Sequence, residues 1–120
     1  MEWDLDRSRP ICPQICEKLN AAIASGELRP GERLMSVREV ALAAGVNPNT
    51  VQKSFEELER AGSVYSVRGS GWYVSEDASS AKEQVKELIR KRIDRFFDDM
   101  SRLGVDTASA KKYVEEWKYE

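Results

Sequence analysis

The 120-residue sequence predicts a mainly α-helical chain with one small β-hairpin. Three observations predict it. Apolar residues recur at steps of three and four along five separate stretches. Gly26, Gly45, Gly62 and Gly104 each close one of these stretches, as helix-ending glycines do. At one place only, β-branched and aromatic residues face each other across glycines, in "SVYSV" and "WYV" around "RGSG".

The first helix has Pro13 in its opening turn, where the missing N–H costs nothing. Ile15, Leu19 and Ile23 follow at four-residue steps, with Cys16 and Ala22 beside them, to about Ser25. Pro30-Gly31 then marks a tight turn flanked by Leu28 and Leu34 as core anchors. Ser36 and Glu39 stand at capping-box spacing at the start of a second helix, which carries Val37, Val40, Ala41 and Ala44. A short turn leads to a third helix capped by Asn47 or Asn49, with Pro48 in its first turn. Val51, Phe55, Leu58 and Ala61 form its buried stripe, and Asn49, Thr50, Gln52 and Lys53 lie mostly off it. The two short strands, 63–67 and 72–74, come next.

"SEDASSA" is a polar joint, so the chain divides near residue 77 into a head, 1–76, and a tail, 77–120. A tail helix over 81–103 carries Val85, Leu88, Ile89, Ile93, Phe96, Phe97, Met100 and Leu103. The steps 89–93–96–100–103 alternate four and three, a short heptad seam. Asp106 or Thr107 caps a last helix with Ala110, Tyr113, Val114 and Trp117 on one face. Two amphipathic helices of this size cannot bury their stripes alone. A second copy of the chain is the simplest partner, giving a homodimer. Phe96, Phe97, Tyr113 and Trp117 read as a dimer core rather than as walls of a ligand cavity, and the sequence names no small-molecule effector.

Composition narrows the function. Charged residues make up 33% and hydrophobic residues 41%, as in globular chains. No apolar run approaches the roughly 20 residues of a membrane span. The polar, acidic start "MEWDLDRSRP" is no secretory signal, so a cytoplasmic chain with no membrane partner is expected. Cys12 and Cys16 share a helix face and read as small buried hydrophobes. With no histidine in the chain, they leave a metal site half empty. There is no nucleophile motif and no phosphate-cradling loop, so neither an enzyme nor a cofactor is expected. The net charge is −2 and neither part is basic: residues 1–76 carry 9 Lys and Arg against 11 Asp and Glu, and residues 77–120 carry 10 of each. A nucleic-acid partner must therefore be met by a few cations on one face.

Helices two and three, joined by a tight turn, make a helix-turn-helix, and the hairpin makes it winged. A recognition helix enters the DNA major groove by its N-terminal residues. Asn and Gln pair there with adenine through two hydrogen bonds. Asn47, Asn49, Thr50 and Gln52 are the right residue types at that end, beside Lys53. The tip, Arg68-Gly69-Ser70-Gly71, offers one cation on a slim backbone.

The stretch "GELRPGERLMSVREVALAAGVNPNTVQKSFEELERAGSVYSVRGSGWYV" resembles the DNA-binding domain of GntR-family bacterial transcription regulators. The pattern there runs G-x-L-x-P-G-x-x-L-P-S-x-R-x-L-A, then V-N/S-x-x-T-V, L-x-x-x-G and G-x-G-x-x-V. The resemblance covers about residues 10–75. Met35 stands where the family usually has Pro. Pro48 stands where a polar base-reading residue is common, which shifts base reading to Asn47, Asn49 and Gln52. The resemblance implies that Arg38 contacts DNA and that Asn47, Asn49, Thr50 and Gln52 supply the turn and recognition-helix contacts. It implies that Arg68 and Gly69, with Ser70 beside them, enter the minor groove. Ser36 matches the serine that caps the second helix and is a candidate phosphate contact. The short tail resembles the YtrA-like subgroup, in which it mediates dimerisation. The implied partner is double-stranded operator DNA. The implied role is control of nearby genes, often for transporters, usually by repression. The alternative is a winged-helix protein-interaction module without specific DNA binding, which salt-insensitive binding would reveal.

Overall fold

A computed structural model describes residues 1–119. Its elements are α1 (Ile11–Ser25), α2 (Val37–Ala44), α3 (Pro48–Ala61), β1 (Val64–Val67), β2 (Gly71–Val74), α4 (Ser79–Arg102) and α5 (Thr107–Glu116). The mainly helical fold with one antiparallel hairpin is the one the sequence predicts. The chain forms two compact units, Met1–Val85 and Lys86–Glu120.

In the first unit, Ile15, Leu19 and Ile23 of α1 are buried with Val40 of α2 and Val51, Phe55 and Leu58 of α3. Each such aliphatic or aromatic side chain contributes about 1.5–3 kcal/mol when fully buried. The predicted stripe of α3 needs one correction. Ala61, in the last turn, is exposed, and Ser54 is buried instead. Its hydroxyl is satisfied within the helix, donating to the Thr50 carbonyl at 2.8 Å, so a polar residue fits an apolar stripe. Leu28 packs against the core and Leu34 is buried, as expected.

The hairpin pairs Val64 with Val74, Tyr65 with Tyr73, Ser66 with Trp72 and Val67 with Gly71. The Ser70 N–H donates to the Val67 carbonyl across the tip at 2.9 Å. A third stretch, which the sequence marks only as a turn, runs along β2. The Gly31 N–H donates to Val74 O at 2.9 Å, the Val74 N–H to Glu32 O at 2.8 Å and the Leu34 N–H to Trp72 O at 2.8 Å. Behind the wing, Gly62 ends α3 at φ 89°, and a Cβ there would lie 2.9 Å from the Ser80 hydroxyl. Glycine is required on both counts.

Ala78 packs against the core of the first unit and Ala81 is fully buried in it. The Asp77 carboxylate accepts from the Ser79 N–H at 2.9 Å at the start of α4, which holds its pKa below the usual carboxylate range. In the second unit, Asp106 caps α5, accepting from the Ser109 N–H at 2.8 Å. α5 ends at Glu116, so Trp117 lies just past the helix rather than on its face. Its φ of −70° and ψ of 136° are extended, and its N–H closes the end on Val114 O. Ala110 is fully buried, whereas Ile89, Ile93, Leu103, Tyr113, Val114 and Trp117 are 49–73% exposed in the single chain. Val85, Leu88, Phe96, Phe97 and Met100 are half-buried, and the Phe96 and Phe97 rings meet edge to face. Among the described residues, no helix is long and apolar enough to cross a membrane.

Candidate nucleic-acid interface

The N-terminus of α2 is fixed by a reciprocal cap. The Ser36 hydroxyl accepts from the Glu39 N–H at 3.1 Å, and the Glu39 carboxylate accepts from the Ser36 N–H at 3.1 Å. The Ser36 N–H, then its hydroxyl, holds the Glu39 pKa below the usual carboxylate range. Ser36 is thus committed first to structure. Arg38, in the first turn, is exposed, and among the described residues no hydrogen bond or ion pair engages its guanidinium.

Asn47, not Asn49, caps α3: its side-chain oxygen accepts from the Asn49 N–H at 2.8 Å, and Pro48 follows at the first helical position. That bond occupies the Asn47 acceptor and leaves its amide N–H groups outside the helix. The Asn49 side chain is exposed, with Gln52 and Lys53 three and four residues on, along one helix face. Thr50 is half-buried at the edge of that face. No acidic residue lies in the first turn of α3, so the positive end of the helix is uncompensated by its own side chains. The acids come later, and two of the three, Glu57 and Glu59, are engaged. Glu57 pairs with Arg60, and the Glu59 carboxylate accepts from the Ser66 N–H at 3.0 Å and the Ser66 hydroxyl at 2.8 Å, fastening α3 to β1.

Arg68 and Gly69 are exposed at the wing tip. Ser70 is turned inward: its hydroxyl pairs with that of Tyr73, and its carbonyl accepts from the Arg33 guanidinium at 2.6 Å. Arg33 is absent from the sequence-based site. It bridges to Tyr73 through its backbone and lies against Gly71, where an added Cβ would be 3.3 Å from its Nε. Only the pairing of residues 31–34 with β2 reveals it, and no local pattern announces that pairing.

A second missed residue is Arg7. Its guanidinium donates to Ala44 O at 2.5 Å and Gly45 O at 3.1 Å, covering the C-terminus of α2 at the turn into α3. Gln14 holds the preceding segment to α1, accepting from the Asp6 N–H and donating to Asp6 O, both at 2.8 Å. Cys16 packs between α1 and α3, its thiol donating to Ser54 O at 3.5 Å. Burial, then neighbouring Cys12, pushes the Cys16 pKa up to about 12, so the thiol stays protonated and unreactive near neutrality. Among the described residues, no three His, Cys, Asp or Glu side chains group to hold a metal ion.

Comparison with known proteins identifies the family of the chain. Residues 13–74 match the family described as "Bacterial regulatory proteins, gntR family". The chain is 37% identical over 105 residues to the uncharacterized HTH-type transcriptional regulator YhcF of Bacillus subtilis, covering 88% of this chain and 87% of that one. It is 34% identical over 117 residues to the HTH-type transcriptional repressor YtrA of the same organism, covering 97% and 90%. A GntR family transcriptional regulator from Listeria monocytogenes superposes with a TM-score of 0.83 at 32% identity, over 95% of this chain and all of that chain. AraR(DBD), solved in complex with an operator, superposes with a TM-score of 0.54 at 26% identity, over 62% of this chain and 94% of that chain.

Proposed function

The chain belongs to the gntR family of bacterial regulatory proteins, and from that premise we propose that it is a homodimeric, sequence-specific operator-binding repressor. The observation that carries the reading is the exposed polar face of α3, where Asn49, Gln52 and Lys53 stand opposite the buried Val51, Phe55 and Leu58. In this reading the N-terminal turns of α3 enter the major groove, and Asn49 and Gln52 read base edges. Arg38 and Lys53 bind phosphate, as does the N-terminus of α3. Arg68 and Gly69 reach the adjacent minor groove. Asn47, Pro48, Thr50, Ser36 and Ser70 shape the surface more than they read it, since the cap and wing bonds occupy Asn47, Ser36 and Ser70.

The tail supplies the second copy. Exposed apolar patches on a compact chain mark association surfaces. Ile89 and Ile93, with the half-buried Phe96 and Met100, form such a seam along α4, and Leu103 follows in the turn just past its end. A dimer built there carries two heads to two half-sites of a near-palindromic operator. Its place of action is the cytoplasm. The targets are genes near its own, transporter operons among them.

A gel shift with the region upstream of its own coding sequence tests the reading. The wild-type chain retards that fragment, and Arg38→Ala, with an unchanged melting curve, weakens retardation several-fold. Unchanged binding removes Arg38 from the interface. Sedimentation tests the tail: Ile89→Lys with Ile93→Lys converts a dimer to a folded monomer, and a dimer that survives this change refutes the seam.

A further inference from the structure

Arg33 occupies a built position at the wing tip that the operator-binding reading does not use. It is exposed, and it lies beside Tyr73 in the stretch that runs along β2. One N–H of its guanidinium donates to the Ser70 carbonyl at 2.6 Å. Gly71 clears the space for that guanidinium: an added Cβ there would stand 3.3 Å from Nε and 3.4 Å from Nη2. The Ser70 hydroxyl pairs with that of Tyr73, so the residue that anchors Arg33 is itself held. Glu39 senses the charge of Arg33, but its carboxylate is committed to the Ser36 N–H. Among the described residues, no carboxylate forms an ion pair with Arg33, and no second hydrogen bond engages its guanidinium.

We propose that Arg33 is a DNA contact of the wing, binding a backbone phosphate at the lip of the minor groove that Arg68 and Gly69 enter. The inference rests on the operator-binding reading and adds to it a residue and its ligand. The guanidinium spends one N–H on Ser70 and keeps its other donors and its full charge. Its anchor, Ser70, stands just behind Arg68 and Gly69 in the chain. The minor groove is about 6 Å wide, and phosphates line both of its edges. A cation held just behind an inserted tip therefore stands level with a phosphate rather than with a base edge. A guanidinium also matches phosphate through paired N–H groups, and one already anchored has less rotamer freedom to lose on binding. The chain carries a net charge of −2, so its affinity for a duplex depends on each well-placed cation.

The test is the salt dependence of duplex binding by the full chain, followed by fluorescence anisotropy on the fragment upstream of its own coding sequence and on a scrambled one. Each phosphate contact contributes about −0.9 to the slope of log affinity against log salt. Arg33→Met should make that slope shallower by about 0.9 on both fragments, and Arg33→Lys, which keeps the charge, should keep the slope. The same loss should appear when Arg33→Met is added to Arg68→Ala. If Arg33→Met does not fold, Arg33→Gln carries the comparison. A slope unchanged by removal of the charge overturns the proposal. A change that vanishes in the Arg68→Ala background also overturns it, since Arg33 then acts only by steadying the tip. So does a slope for Arg33→Lys as shallow as that for Arg33→Met. Sequence preference is read separately: a wild-type chain with equal affinity for the two fragments refutes the sequence-specific reading, and the slopes still decide the role of Arg33.

Discussion

The Phe55 ring of α3 meets the Trp72 ring of β2 edge to face, with centroids 5.5 Å apart. Phe55 is fully buried in the core, so the hairpin is seated on the same side chain that seats α3. The position of the hairpin therefore depends on the core and not on its tip. Truncating Phe55→Ala removes a buried ring and should cost about 3–5 kcal/mol in a urea melt. Trp72→Ala, at a half-buried site, should cost less. A double-mutant cycle should return a coupling of about 0.5–1.5 kcal/mol, the usual worth of an aromatic pair. Additive single effects would show that the ring contact does not join wing to helix.

The capping box gives a prediction in pH. The Ser36 N–H holds the Glu39 pKa below its unfolded value. The stabilisation is therefore fully present above the unfolded pKa and is lost as pH falls through the folded one. Asp6 shifts the same way through Ser8, and Asp77 and Asp106 through the N–H groups of Ser79 and Ser109. Urea melts from pH 7 to pH 3 should show falling stability, with a shallower fall for Glu39→Gln. Ser36→Ala should cost about 0.5–2 kcal/mol at pH 7. A pH profile unaltered by Glu39→Gln would contradict the cap.

Arg33 predicts a change in motion more than in stability. Its guanidinium holds the Ser70 carbonyl at the wing tip. Arg33→Met keeps the aliphatic stem and removes the donor, and should shift stability by only about 1 kcal/mol. Amide relaxation should then show lower order parameters at residues 68–71 than in the wild-type chain. Unchanged order parameters would mean that the tip is rigid without Arg33.

Gly62 tests the junction behind the wing. Its φ of 89° and its close approach to the Ser80 hydroxyl both oppose a side chain. Gly62→Ala should cost more than about 1 kcal/mol. Adding Ser80→Gly should restore the steric part and leave the backbone part. Full rescue by Ser80→Gly would show that the left-handed conformation carries no cost.

Most of the head was legible in the sequence because its signals are local. Ser36 and Glu39 announce their cap by spacing, and Ile15, Leu19 and Ile23 announce a buried face by period. What was not legible depends on distant pairing. Arg7 reaches Ala44 and Gly45 across 37 and 38 positions, and Arg33 reaches Ser70 across 37. Nothing at either end marks the other. Ser54 misled by its polarity, because the Thr50 carbonyl that satisfies it belongs to the backbone. Trp117 misled by period, because a helical spacing continues on paper after the helix has stopped at Glu116. In the candidate interface, the exposed positions of Asn49, Gln52 and Lys53 follow from period alone. The engagement of Asn47 and Ser70 does not, since their partners had to be seen.

Gln52 is the most direct probe of whether the polar face of α3 reads base sequence. The measurement is fluorescence anisotropy with the upstream fragment and a scrambled fragment of equal length, over a salt series, for wild type and Gln52→Ala. Wild type should prefer the upstream fragment at least tenfold, and both affinities should fall with salt. Gln52→Ala should lose about 1–3 kcal/mol on the upstream fragment alone. Equal affinity of wild type for both fragments, or a loss that is the same on each, would contradict the claim.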